Sequence, residues 1–300
     1  MRWSRGHTGS IEDRRSQGGG GGGLGGGMGG IPIPASVGGG GALLIVVAII
    51  VLNLLSSSGG GGAGSGGLGG VLDGLGGGAV GPVGTPDLTN DGDEVEFIGY
   101  VLDDVNALWA DVFRDAGDAY QPTTLVLFTS ATRSGCGPAS SDTGPFYCPA
   151  DQKVYLDLAF FAELRRRFGA PGDFAEAYVI AHEVGHHVQQ QTGIEGQVRQ
   201  AQQQDPGRVN ELSVKMELQA DCLAGVWAQS VYEQGDLEAG DIDEGLRAAS
   251  AVGDDRIQAG AGMAVNPETW THGSAEQRSS WFDKGYSTGD PAACDTFAGG

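Results

Sequence analysis

The sequence predicts an α+β domain, mostly helical with a small antiparallel sheet, preceded by a glycine-rich segment and one apolar run. Three observations predict it. Glycine is concentrated at one end: 32 of the 56 glycines fall in residues 1–90 of 300. Charge is concentrated at the other. Residues 1–90 balance four arginines against four acidic residues, so the net charge of −21 belongs to residues 91–300. That second part alternates long stretches of helical apolar periodicity with two short β-rich runs. An acidic domain lacks the basic footprint that nucleic acids require, so no nucleic-acid partner is expected.

Residues 1–41 carry Arg2, Arg5, Arg14 and Arg15 in a polar stretch, followed by an almost pure glycine tract. Such a segment buries too little apolar surface to offset its ordering entropy, and disorder is expected for it. Ala42–Leu55 is apolar except for Asn53. Fourteen helical residues span about 21 Å, short of a hydrocarbon core of about 30 Å, but counting back to Val37 (residues 37–56) supplies the missing length. Polyglycine on both sides disfavours a core helix. The late start and missing cleavage site disfavour a removable signal peptide. A transmembrane signal anchor is therefore expected. Arginines precede it and no Lys or Arg follows until Arg114. The positive-inside rule puts residues 1–41 in the cytoplasm and residues 56–300 outside. Residues 56–90, rich in Gly and Ser with Pro82 and Pro86, read as a flexible linker. The folded unit is residues 91–300.

Within it, residues 93–116 place Val95, Ile98, Val101, Leu102, Val105, Leu108, Trp109 and Val112 at helical spacing, with acidic residues in the first turn. Residues 123–130 and 153–158 read as strands, with a turn-rich loop over 134–149 between them. Residues 160–168 predict a short helix, and Pro171-Gly172-Asp173 a turn with an Asp cap before a helix over 174–191, stopped at Thr192-Gly193. Further helices are expected over 208–233, 243–261 and 275–286.

The cysteines are Cys136, Cys148, Cys222 and Cys294. None forms a Cys-x-x-Cys pair, which disfavours a cysteine-based structural zinc site. Four cysteines permit three pairings. An even number outside the membrane favours disulfides, and the short loop favours Cys136–Cys148, leaving Cys222–Cys294 to tie down the C-terminal tail.

The helix over 174–191 contains His182-Glu183-Val184-Gly185-His186, drawn from only five histidines in the chain. Four helical residues turn through about 400° and rise about 6 Å, so His182 and His186 stack on one face. Both imidazoles can then reach one zinc ion at the roughly 2.0–2.1 Å it requires. Glu183 sits about 100° round the helix, near enough to touch a water on the metal and wrongly placed to be a third ligand. His187 is offset similarly from His186 and is not expected to bind. A catalytic zinc wants three protein ligands and one open position. About thirty residues on, Glu217 and Asp221 share a helix face among Met216, Ala220, Leu223, Ala224 and Trp227. One carboxylate can bind the metal while the other accepts the Nδ1–H of a ligating histidine. Glu217 is favoured as ligand for its longer reach and Asp221 as the orienting group.

These stretches, with Ser134-Gly135-Cys136-Gly137, Gly144 to Pro149, Glu12-Asp13-Arg14-Arg15 and Thr271-His272-Gly273-Ser274-Ala275-Glu276-Gln277-Arg278, make the chain resemble the putative neutral zinc metallopeptidase family of bacterial membrane proteins. The resemblance implies a zincin-like fold with zinc on His182, His186 and Glu217, acting on a peptide or protein substrate. In that chemistry Glu183 takes the proton of a zinc-activated water and passes it to the leaving amine. A second donor must meet the oxyanion. His272, the only histidine after the helix over 174–191, is the first candidate, ahead of Tyr155 and Arg278. The competing expectation is a zincin-like binding or envelope-assembly module without catalysis, which would have no need of Glu183.

Overall fold

The computed structural model describes residues 1–4, 7–17, 92–166 and 172–298. The expected anchor over 42–55 and linker over 56–90 lie outside the described residues. Among the described residues no helix is long and apolar enough to cross a membrane.

The domain opens with α1 (Gly92–Ala116), whose acidic first turn and long apolar stripe bury Ile98, Val101, Leu102, Val105 and Trp109. The strands β2 (Thr124–Phe128) and β6 (Lys153–Asp157) follow, with a hairpin of β3 (Ala131–Ser134) and β4 (Gly137–Ser140) and a short β5 (Phe146–Cys148) between them. The expected antiparallel sheet needs correction. The hairpin is antiparallel, but the main sheet has the order β1 (Ile11–Asp13), β2, β6, β5, and only its β5–β6 pair is antiparallel. β5 turns directly into β6, whereas β2 reaches β6 through the hairpin and pairs with it in parallel, Leu125 opposite Val154 and Leu127 opposite Leu156. Alternate residues then face opposite sides. Leu125 and Leu127 join the main core, while Val126 and Phe128 form a smaller cluster with Phe146, Cys148 and Tyr155.

β1 is Ile11–Asp13, so part of the described residues 7–17 is ordered where disorder was expected, and the glycine tract over 18–41 lies outside the described residues. It pairs in parallel with β2, Ile11 opposite Leu125 and Asp13 opposite Leu127. Glu12 bonds Lys153 Nζ at 2.6 Å and Arg14 Nε at 2.7 Å. Trp3 meets Phe97 of α1 edge-on at 5.6 Å, and His7 and Ser10 both bond Asp103. Of these residues, Glu12 through Lys153 and Arg14 through a hydrogen bond from Nη1 to Arg133 O find partners that only the folded domain supplies, while Arg15 pairs within the segment with Asp13.

The helices then build the layer that carries the histidines. α2 (Ala159–Arg166) leads to α3 (Asp173–Gln191), which packs on α1, on α5 (Val209–Gln234) and on α6 (Asp241–Ala251). Between α3 and α5 lies α4 (Ile194–Gln204), a Gln-rich helix that apolar periodicity does not announce. The single helix expected over 243–261 is two, α6 and α7 (Asp254–Gly260), because Asp254 N–H leaves the helical ladder to bond Gly273 O at 2.8 Å. α8 (Ala275–Thr288) starts with a Ser274–Gln277 capping box and lies along α5. The core centres on Phe174 stacked on Trp227 at 5.6 Å and on Tyr178 edge-on to Phe282 at 5.5 Å.

Candidate metal centre

Glycine in mid-helix is unfavourable, so Gly185 between the two histidines calls for a reason. A Cβ there would stand 3.1 Å from both Cα and O of Ala220 on α5. Its absence lets the two helices meet between Glu217 and Asp221, and this contact brings the carboxylates to the histidines. His182 Nε2 lies 3.2 Å from one Glu217 oxygen and His186 Nε2 3.6 Å from the other. One ligand atom from each of the three residues falls within 4.8 Å of the others, a group able to hold a metal ion. Glu183 and Glu217 are each only 8% exposed.

The other ring nitrogens are also engaged. His182 Nδ1 is 2.9 Å from Asp221 Oδ1. Asp221 is fully buried and also accepts from Tyr178 O–H and from Arg278, Nε at 2.8 Å and Nη2 at 2.9 Å. His186 Nδ1 is 2.9 Å from Gln189 Oε1. Both histidines thus donate from Nδ1 and leave Nε2 towards Glu217, the arrangement typical of ligating imidazoles.

His272 sits on the loop before α8. Its Nδ1 lies 3.1 Å from Asp254 Oδ1, and Asp254 Oδ2 accepts the backbone N–H groups of Thr271, His272 and Gly273 at 2.7, 2.6 and 3.1 Å. Gly273 has φ +90°, and a Cβ there would come within 3.2 Å of Val214 and 3.4 Å of Leu218, the latter next to Glu217. The two other oxyanion candidates are placed differently, Tyr155 away from the histidines and Arg278 at the centre itself, 3.5 Å from His182 Nε2. Tyr155 donates to Asp151 in the small cluster on the far face of the sheet, and Arg278 is spent on Asp221, 3.9 Å from Glu217. His187 is fully buried between Tyr147 O–H and Gln121 O, away from the other histidines, as its offset suggests.

The electrostatics favour a cation. Burial raises carboxylates and lowers histidines. Here burial is outweighed: the rings of His186 and His182 hold Glu217 well below the usual carboxylate range, and Arg278 and His182 hold Asp221 low. Against its burial, Asp221 and Glu217 raise His182 to about 9. A cluster that draws a proton onto a buried histidine is one that stabilises positive charge, and two imidazoles with a carboxylate are borderline donors suited to zinc. Glu183 is raised by burial, with His182 and His186 opposing, and His272 is raised because Asp254 outweighs burial. The residues present fit a zinc ion.

Gln189 and Asp254 escape sequence reasoning. Gln189 opens a Gln-Gln-Gln run, and Asp254 serves a loop 18 residues away. The cysteines pair as expected, Cys136–Cys148 and Cys222–Cys294, the second tying the C-terminal tail beside Asp221.

Comparison with known proteins agrees. A family model described as "Putative neutral zinc metallopeptidase" matches residues 1–297. The chain is 51% identical over 209 residues to the uncharacterized protein YpfJ of Escherichia coli strain K12, covering 69% of this chain and 73% of that one. It is 47% identical over 205 residues to the uncharacterized protein Rv2575 of Mycobacterium tuberculosis strain H37Rv, covering 65% and 67%. No solved structure matches. With the match extending over nearly its whole length, the chain belongs to the family of putative neutral zinc metallopeptidases.

Proposed function

We propose that the protein is a zinc-dependent peptidase of the glutamate-ligand type, with the metal on His182, His186 and Glu217. The observation that carries this reading is the convergence of two imidazole Nε2 atoms and one carboxylate, with Glu183 buried on the same helix and interacting electrostatically with all three. Zinc, when bound, lowers the pKa of water towards 7 and polarises a carbonyl oxygen. Glu183, one residue from His182 and buried, accepts the proton of the attacking water and returns it to the departing amine. Asp221 and Gln189 fix the rings of His182 and His186. Asp254 holds the His272 ring by Nδ1 and favours its protonated form, leaving Nε2–H to meet the scissile carbonyl oxygen as it gains charge. Substrates are peptides or proteins. The two disulfides favour an oxidising compartment for the domain, and residues 42–55 supply its contact with the membrane.

The test is zinc per chain after dialysis together with peptide hydrolysis. Glu217→Ala should give a metal-poor protein. Asp221→Asn should weaken zinc binding by about 10–100-fold, the usual loss for an orienting partner. Glu183→Gln should keep zinc and lose turnover. If Asp221→Asn empties the site while Glu217→Gln leaves it full, the two carboxylates exchange roles. If all these variants keep zinc and activity, the site lies elsewhere.

A further inference from the structure

The acceptor for His186 is an amide where His182 has a carboxylate, and the amide has a second half. Gln189 is fully buried. Its Oε1 accepts a hydrogen bond from His186 Nδ1–H, and its Nε2 donates to Met216 O at 2.7 Å and to Gln219 Oε1 at 3.1 Å. Gln219, also buried, donates its own Nε2 to Cys294 O at 3.0 Å. Every oxygen in this chain accepts and every nitrogen donates, so one direction of hydrogen bonding runs from His186 to the C-terminal tail. An amide that has committed its nitrogen to one side can offer only oxygen to the other. The tail end is itself fixed three ways to α5: by Cys222–Cys294, by Gln219 and by Thr296 Oγ1 donating to Lys215 O at 2.7 Å.

We propose that Gln189 and Gln219 form an amide relay that orients the His186 ring against the disulfide-bonded C-terminal tail, making Gln189 and Gln219 positioning residues of the metal centre. The relay presupposes the metal centre proposed above. The hydrogen bonds of Gln219 run to Gln189 and Cys294 rather than to a ligand, so its effect on the metal passes through Gln189. Unlike a carboxylate, Gln189 would have no preference between presenting its oxygen and its nitrogen to His186 unless something fixed it. Met216 O and Gln219 fix it, because both demand its Nε2. In this way the covalent tie at Cys294 and the ligand at His186 belong to one hydrogen-bonded unit.

The experiment measures the zinc dissociation constant of the full chain by chelator competition, and the visible spectrum of the cobalt-substituted protein. The variants are Gln189→Met, Gln189→Glu, Gln219→Met and the Gln189→Met/Gln219→Met double. Gln189→Met should weaken zinc by about 10–100-fold and Gln219→Met by about 10-fold, both shifting the cobalt bands. Gln189→Glu, which keeps an acceptor oxygen, should restore most of the affinity lost in Gln189→Met. The double variant should bind zinc no more weakly than Gln189→Met, because the relay is already cut. A mere folding defect from Gln219→Met would instead persist in the double. Wild-type affinity in Gln219→Met, or a double variant showing the sum of both losses, would overturn the relay and leave the metal centre standing. A wild-type chain that holds no zinc in competition would overturn both.

Discussion

Glu176 lies six residues before His182 on the same helix, paired with Arg165 and facing Glu94 across it. Burial pushes its carboxyl up to about 8, Glu94 adds to the rise and Arg165 opposes it. A carboxyl raised in the folded state binds a proton that the unfolded chain releases. Its contribution is therefore fully present below the unfolded value near 4.5 and lost as pH climbs through about 8. Thermal unfolding compared at pH 5 and pH 8.5 should show wild type losing more stability than Glu176→Gln over that interval. Equal losses in both proteins would show that Glu176 is ionised in the fold. At this scale the sequence was most legible where the backbone fixes geometry. His182, Glu183 and His186 are related by helix pitch alone, and Glu217 and Asp221 likewise. Gln189 and Asp254 were illegible because their roles depend on contacts between elements, which no local spacing encodes.

Between elements, three glycines decide how closely helices approach, and they differ in how hard a methyl group would press. At Gly185 an added Cβ would come 3.1 Å from Ala220, a contact relieved by shifts of a few tenths of an ångström. At Gly225 it would meet Phe282 O at 2.0 Å, and at Gly285 Cys222 O at 1.9 Å, both backbone atoms that cannot rotate away. Gly285→Ala should therefore force α5 and α8 apart and lower stability by roughly 1–3 kcal/mol or more, the cost of overpacking. Because α8 carries Arg278 and α5 carries Asp221, the same change should weaken zinc binding. Gly185→Ala should leave the unfolding midpoint nearer wild type and register mainly in zinc affinity. Unfolding curves and zinc competition on both variants check this, and a Gly285→Ala protein as stable as wild type would deny the close packing. The long helices were legible because a buried stripe repeats with the helical period. The parallel pairing of β2 with β6 was not, because strand direction follows the path of the connection. Nor was the break between α6 and α7, which exists to let Asp254 gather the 271–273 loop.

For the whole molecule, the N-terminal strand sets a condition on topology. Charge asymmetry about residues 42–55 expects residues 1–41 in the cytoplasm and the domain outside. Yet β1 forms backbone pairs with β2, Glu12 pairs with Lys153, and His7 and Ser10 hold Asp103. One chain can make these contacts only if residues 7–17 and 92–298 share a compartment, because a single crossing between Gln17 and Gly92 would place a bilayer between the two strands. The disulfides point to an oxidising compartment for both. The prediction is tested in intact cells with a membrane-impermeant maleimide. The native cysteines are all paired, so single new thiols report cleanly. Thr8→Cys, beside β1, and Ser287→Cys, on α8, are both exposed positions. Both should label without lysis. Labelling of Ser287→Cys alone, with Thr8→Cys reached only after lysis, would restore the single-crossing arrangement and mean that β1 does not pair with β2 in the cell. Protection of both thiols in intact cells would place the whole domain inside, and non-reducing peptide mapping would then have to find Cys136–Cys148 and Cys222–Cys294 open.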